Sequence, residues 1–83
     1  MSKPNFQSVK TREQLISSIS FLRENLLKNP ESWENKDLDS FLEALEGWLT
    51  DSPGYYKNNG DEISNQDPWS IVATALAAAA IYE

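Results

Sequence analysis

Asp67-Pro68-Trp69-Ser70-Ile71-Val72-Ala73-Thr74-Ala75-Leu76-Ala77-Ala78-Ala79-Ala80-Ile81-Tyr82 is the stretch that decides the fold. After Asp67 it carries no charge, and Ser70 and Thr74 are its most polar side chains. It is stable in water only where other elements cover most of it. Asp67 offers an N-cap oxygen, Pro68 suits the first helical position, and the alanines propagate a helix better than any other residue. A central helix over 68–82 follows. The spacing points Trp69, Val72, Ala73, Leu76, Ala79 and Ala80 toward the core. A second strip, Ile71, Ala75, Ala78 and Tyr82, is left to be covered by a loop, by the N-terminal segment or by a second copy.

Working outward, residues 52–66 are polar and rich in turn formers. Asp51-Ser52-Pro53-Gly54 carries turn chemistry that ends the preceding helix, and a long ordered loop is expected from there to Gln66. In residues 38–49 the apolar positions Leu38, Phe41, Leu42, Leu45, Trp48 and Leu49 mark an amphipathic helix over 37–50, capped by Asn35 or Asp37. Asp39, Glu43 and Glu46 share its outer side. Trp33 closes one end of the core. Upstream, Thr11 and Gln14 have the spacing of a capping box. Leu15, Ile19, Leu22 and Leu26 then form one stripe, bordered by Ile16 and Leu27, of a helix over 12–28 that Asn29-Pro30 ends. Phe21 points away from that stripe and needs a covering segment. The expected architecture is all-α: a three-helix bundle with the Ala-rich C-terminal helix at its centre. Residues 1–10 form a flexible basic tail, with Phe6 and Val9 available to pin it, and 11–83 form a single helical domain.

Composition narrows the function. At 83 residues the chain holds one modest core. It has no cysteine and no histidine, which removes disulfides, thiolate zinc sites and the commonest general base. No nucleophile, base or oxyanion donor can be named, so catalysis is not expected, and neither is a cofactor or a metal. Asn58, Asn59, Asp61 and Glu62 around Gly60 lack the spacing of a calcium loop and read as a turn. The first residues lack the apolar core of a signal peptide, and the final uncharged run is shorter than a bilayer span, so the expected compartment is the cytoplasm, without membrane. The net charge of −6 is uneven: Lys3, Lys10 and Arg12 come before the acidic body, and residues 31–67 hold ten carboxylates against Lys36 and Lys57. That balance excludes nucleic acid and favours a basic protein partner.

Trp33, Leu38, Phe41-Leu42-Glu43-Ala44-Leu45, Trp48-Leu49, Asp51, Gly54-Tyr55-Tyr56, Asn58, Gly60, Pro68-Trp69, Leu76 and Ala79 through Glu83 resemble a small bacterial family of domains of unknown function. The resemblance implies no activity, but it does imply that the tyrosine pair and Tyr82-Glu83 belong to the domain. In layout, Tyr55-Tyr56, Asp61-Glu62 and Asp67-Pro68 are similar to the nuclease-colicin immunity proteins. This chain departs from them in having Ser52-Pro53-Gly54 before the tyrosines. The expected function is a small acidic protein-protein interaction module that meets a basic partner through Tyr55, Tyr56, Asp39, Glu43, Glu46, Asp61 and Glu62. Of two successive tyrosines, one should be buried and one exposed. A toxin-neutralising immunity protein and a structural homodimer are the alternatives, with a monomer favoured over the homodimer.

Overall fold

The computed structural model describes residues 5–82, and its described residues contain helices and no strand. Three α-helices, α1 (Arg12–Lys28), α2 (Leu38–Asn58) and α3 (Pro68–Ala79), are joined through short 3-10 turns at Pro30–Ser32 and Ile63–Asn65, and a further turn, Phe6–Ser8, precedes α1. The protein is thus an all-α three-helix bundle. No helix of the described residues is long and apolar enough to cross a membrane.

Local chemistry sets the helix starts. Thr11 Oγ1 accepts from the Gln14 amide at 3.1 Å, and Gln14 Oε1 reaches back to the Lys10 amide at 2.7 Å. Asp67 accepts from the Trp69 amide ahead of Pro68. Asp37, of the two residues the sequence allows, caps α2, accepting from the Ser40 amide at 2.8 Å and its hydroxyl at 3.0 Å. These bonds, the amide first, hold the Asp37 carboxyl below its ordinary 3.8. Because the folded value is the lower one, the cap stabilises fully above the ordinary value, and its contribution is lost as pH falls through the depressed one. Asparagine offers a similar oxygen without titrating. Asp37→Asn is therefore expected to leave neutral-pH stability close to that of wild type and to flatten the acid loss below about pH 4. Thermal unfolding over a pH series checks this; an unchanged acid slope would assign that loss to other groups.

The end of α2 corrects the expectation from sequence. The helix runs through Asp51-Ser52-Pro53-Gly54 and the tyrosine pair to Asn58, leaving residues 59–67 as the loop before α3. Pro53 cannot donate to the Leu49 carbonyl one turn back. The buried Ser52 hydroxyl donates to that oxygen instead, at 2.7 Å. Beyond the C-cap Asn59 the chain turns away at Gly60, whose φ of +79° suits a residue without a Cβ. There the Asp61 amide bonds to Tyr56 O and the Gly60 amide to Lys57 O, the paired bonds of a Schellman end.

α1 and α2 pack mainly on α3, one on each flank. The Ser70 hydroxyl donates to Gln7 O just ahead of α1, and the Glu34 and Asn35 amides donate to Ala80 O just ahead of α2. Hence α1 runs parallel to α3 and α2 runs antiparallel to both. The contacts use small residues: Ser18 on α1, Ala44 and Ser52 on α2, and Ser70, Ala73, Ala75 and Ala79 on α3 are all buried. Such side chains let helix backbones approach closely, and the hydroxyls of Ser18, Ser52 and Ser70 each donate to a backbone carbonyl.

This grip reverses part of the expected core. Trp69 and Val72 remain 40% and 44% exposed, because α3 is held by its alanine flanks and the edge between them faces outward. Along α2 the buried line is Ala44, Trp48, Ser52 and Tyr56, while Leu38, Leu42 and Leu49 are exposed. On α1, Ile16, Ile19 and Leu27 are exposed too. The second strip of α3 is not free for a homodimer: Ala75 is 1% exposed, clustered with Trp48 and Tyr56, with Ala78 and Tyr82 packed alongside.

Phe21 finds its cover in the N-terminal segment. Phe6 meets it edge-on with ring centroids 6.3 Å apart, and Phe6 and Val9 are buried with Ala73. The first four positions of the expected basic tail, and Glu83, lie outside the described residues. Trp33 closes the far end, stacking on Phe41 and donating from Nε1 to Asn25 Oδ1 at 2.7 Å.

Candidate functional site: an acidic cleft beside the second helix

Residues four apart share one side of a helix, and on α2 Glu43, Gly47 and Asp51 are so spaced, with Tyr55 one turn further on. Gly47 leaves room for a ring. A Cβ there would come within 3.3 Å of Tyr82 Cε2, so the Tyr82 side chain lies directly on the helix backbone. The Tyr82 hydroxyl donates to Asp51 Oδ2. That bond, then partial burial, then the Asp51 charge push the phenol above its ordinary 10.0. Behind it, Asn35 Nδ2 donates to Ala79 O at 2.9 Å and to Tyr82 O at 2.7 Å, fixing the chain just beyond α3.

The result is an open cleft of about 520 Å³ between the outer side of α2 and the Tyr82 turn. Glu43, Glu46 and Asp51 supply its carboxylates and Ser40, Thr50 and Tyr82 its hydroxyls, and neither lysine nor arginine lines it. Arg12 with Glu13 is the one ion pair among the described residues, so none of these carboxylates is neutralised there. A concave, open surface of this kind can accept cationic side chains through charge-assisted hydrogen bonds. Among the described residues no group of three or more His, Cys, Asp or Glu is placed to hold a metal ion.

The residues singled out in the sequence divide between three places. Glu43 and Glu46 line the cleft, while Asp39 is exposed outside it, near the start of α2. Tyr55 is 38% exposed, lies against Trp48 and accepts from Gln7 Nε2 at 3.2 Å. Tyr56 is 5% exposed inside the Trp48–Ala75 cluster and leaves the candidate surface. Its phenol is pushed above the ordinary 10.0 by burial first and then by Tyr55, with the Thr74 hydroxyl acting the other way.

Asp61 and Glu62 stand at the far end of α2, on the order of 20 Å along its axis from Glu43. Asp61 organises the loop: its carboxylate accepts from the Glu62 amide at 2.8 Å, Gln66 Nε2 at 2.8 Å and Asn65 Nδ2 at 3.3 Å, which together hold it below its ordinary 3.8. Lys57 shares the depression in which both acids sit. One continuous surface from Asp39 to Glu62 is therefore not formed. Asp51, Thr50 and Tyr82 were missed. For Asp51 the signal is the four-residue spacing of 43, 47 and 51, which a helix ending at 50 excludes; no such spacing marks Tyr82, which comes from beyond α3.

Fold and surface define a small three-helix domain whose second helix carries an acidic outer cleft. The chain belongs to the family of unknown function DUF7660, whose model matches residues 11–83. The match begins at the cap of α1, so the resemblance seen from Trp33 onward extends across the first helix as well. No curated protein and no solved structure matches the chain.

Proposed function

We propose that this domain is a protein-protein interaction module that docks a basic partner along the outer side of α2, with Glu43, Glu46 and Asp51 as anionic contacts and Tyr55 and Tyr82 as aromatic ones. In this reading the carboxylates bind and do not catalyse. The observation that carries it is the cleft itself, which gathers three carboxylates that have no ion-pair partner among the described residues, without a lysine or arginine in its lining. Tyrosines beside such a cleft add apolar area with a hydrogen-bonding tip, a combination enriched at interfaces.

The test is affinity capture with wild type and with Glu43→Lys/Glu46→Lys, followed by mass spectrometry. Both positions are exposed, so the double variant is expected to unfold within about 0.5 kcal/mol of wild type. A basic protein held by wild type is expected to bind the variant at least about tenfold more weakly, ~1.4 kcal/mol, and to elute from wild type as salt rises. Equal retention of that protein by the variant would remove the cleft as its contact.

A further inference from the structure

Gripping α3 by its alanine flanks leaves an apolar trough between α1 and α2, about 380 Å³ in volume and closed at one end by Trp33. Its floor is Leu76, continued along the same edge of α3 by Trp69 and Val72, and its walls include Ile19 from α1 and Leu38 from α2. Ile16 and Leu42 continue the walls by one helical turn. At 39% to 71% exposure, Ile16, Ile19, Leu38, Leu42, Trp69 and Val72 leave on the order of 600 Å² of largely apolar surface in water. A monomer seldom carries more in one patch, and a standard interface takes roughly 800 Å² from each partner.

Charge on the two walls narrows the occupant. Arg12 and Arg23 lie on the same stripe of α1 as Ile16 and Ile19, and Asp39 lies three residues before Leu42 on α2. Arg23, Lys36 and Asp37 line the trough beside the start of α2, with Asp39 just outside the lining, and none of the four has an ion-pair partner among the described residues. α1 and α2 are antiparallel, so two isologous face-to-face pairings exist. A two-fold axis across the trough sets α1 on α1 and arginine near arginine. An axis along the trough sets α1 of one copy on α2 of the other, at matching height, and brings Arg23 to the other copy's Asp39.

We infer that the trough is a self-association surface: two copies of this chain pair face to face about an axis along it, burying Trp69, Val72 and Leu76 and joining Arg23 to Asp39 across the interface. The monomer expected from sequence rests on cover for the strip of Ile71, Ala75, Ala78 and Tyr82; the trough lies along a different edge of α3, that of Trp69, Val72 and Leu76. The dimer does not depend on the proposed function. It leaves the Asp51–Tyr82 side of α2 outward, with Glu46, on the same stripe as Asp39, at the border between interface and cleft.

Light scattering from low to high micromolar concentration tests this. The mass is expected to rise from 9.4 kDa toward twice that value. Ile19→Lys/Leu42→Lys, both at exposed positions and checked for unchanged helical circular dichroism, is expected to hold the chain at monomer mass. Arg23→Asp and Asp39→Arg are each expected to weaken association at least fivefold, and their combination to restore it. Monomer mass for wild type throughout would overturn the proposal and leave the trough to a different protein. A dimer indifferent to the lysine pair, or one that the charge swap fails to restore, would equally overturn it.

Discussion

Trp48→Ala is expected to lower the unfolding free energy by about 3–5 kcal/mol. A domain of this size has roughly 5–10 kcal/mol in total, so much of the population would be unfolded at modest urea concentrations. Trp48 is 5% exposed, its ring centroid 5.7 Å from Tyr55 and 6.3 Å from Tyr56, in the cluster that covers Ala75. α1 packs on the opposite flank of α3, so it cannot move in to fill the space. Tyr56→Ala should act in the same direction, which separates it from exposed Tyr55. Urea denaturation followed by circular dichroism gives the result; a loss below about 1 kcal/mol would mean that the α2–α3 contact can collapse around the missing ring.

Ala75→Leu is the next largest expected effect. Ala75 is 1% exposed, and a larger side chain there must push α2 away from α3. Overpacking of this kind costs about 1–3 kcal/mol, and the upper end is expected because Trp48 and Tyr56 are themselves buried. Val72→Leu adds a methylene three residues earlier on the open edge, and is expected to change stability by less than about 0.5 kcal/mol. Comparing the two urea midpoints checks the pair; equal losses would place both positions in the same packed environment.

The two helix starts at Thr11 and Asp67 were legible because caps are local: an oxygen, the amides ahead of it and a proline suffice. The end of α2 was not. Ser52-Pro53-Gly54 has the composition of a turn, and only the Ser52 bond to Leu49 O lets the helix pass through. The true end ahead of Gly60 carried its own signal, with Lys57 in the last turn and a glycine beyond it. Which edge of α3 is buried was misread for a different reason. Hydrophobic periodicity weights large side chains, whereas close helix approach selects small ones, so the alanines were undervalued. Glu43 and Glu46 could be picked out as an exposed acidic face. The cleft they line could not, because Asp51 lies beyond the supposed helix end and Tyr82 arrives from the other end of the domain.

The central claim is that α3 is buried by its alanine flanks while its Trp69–Val72 edge faces out. With no cysteine in the chain, single variants Val72→Cys and Ala75→Cys can be labelled without background. At low micromolar concentration in native buffer, the thiol at 72 is expected to react at close to the rate of an unfolded peptide, and the thiol at 75 only as fast as the protein opens. Protection at 72 with free reaction at 75 would contradict the account.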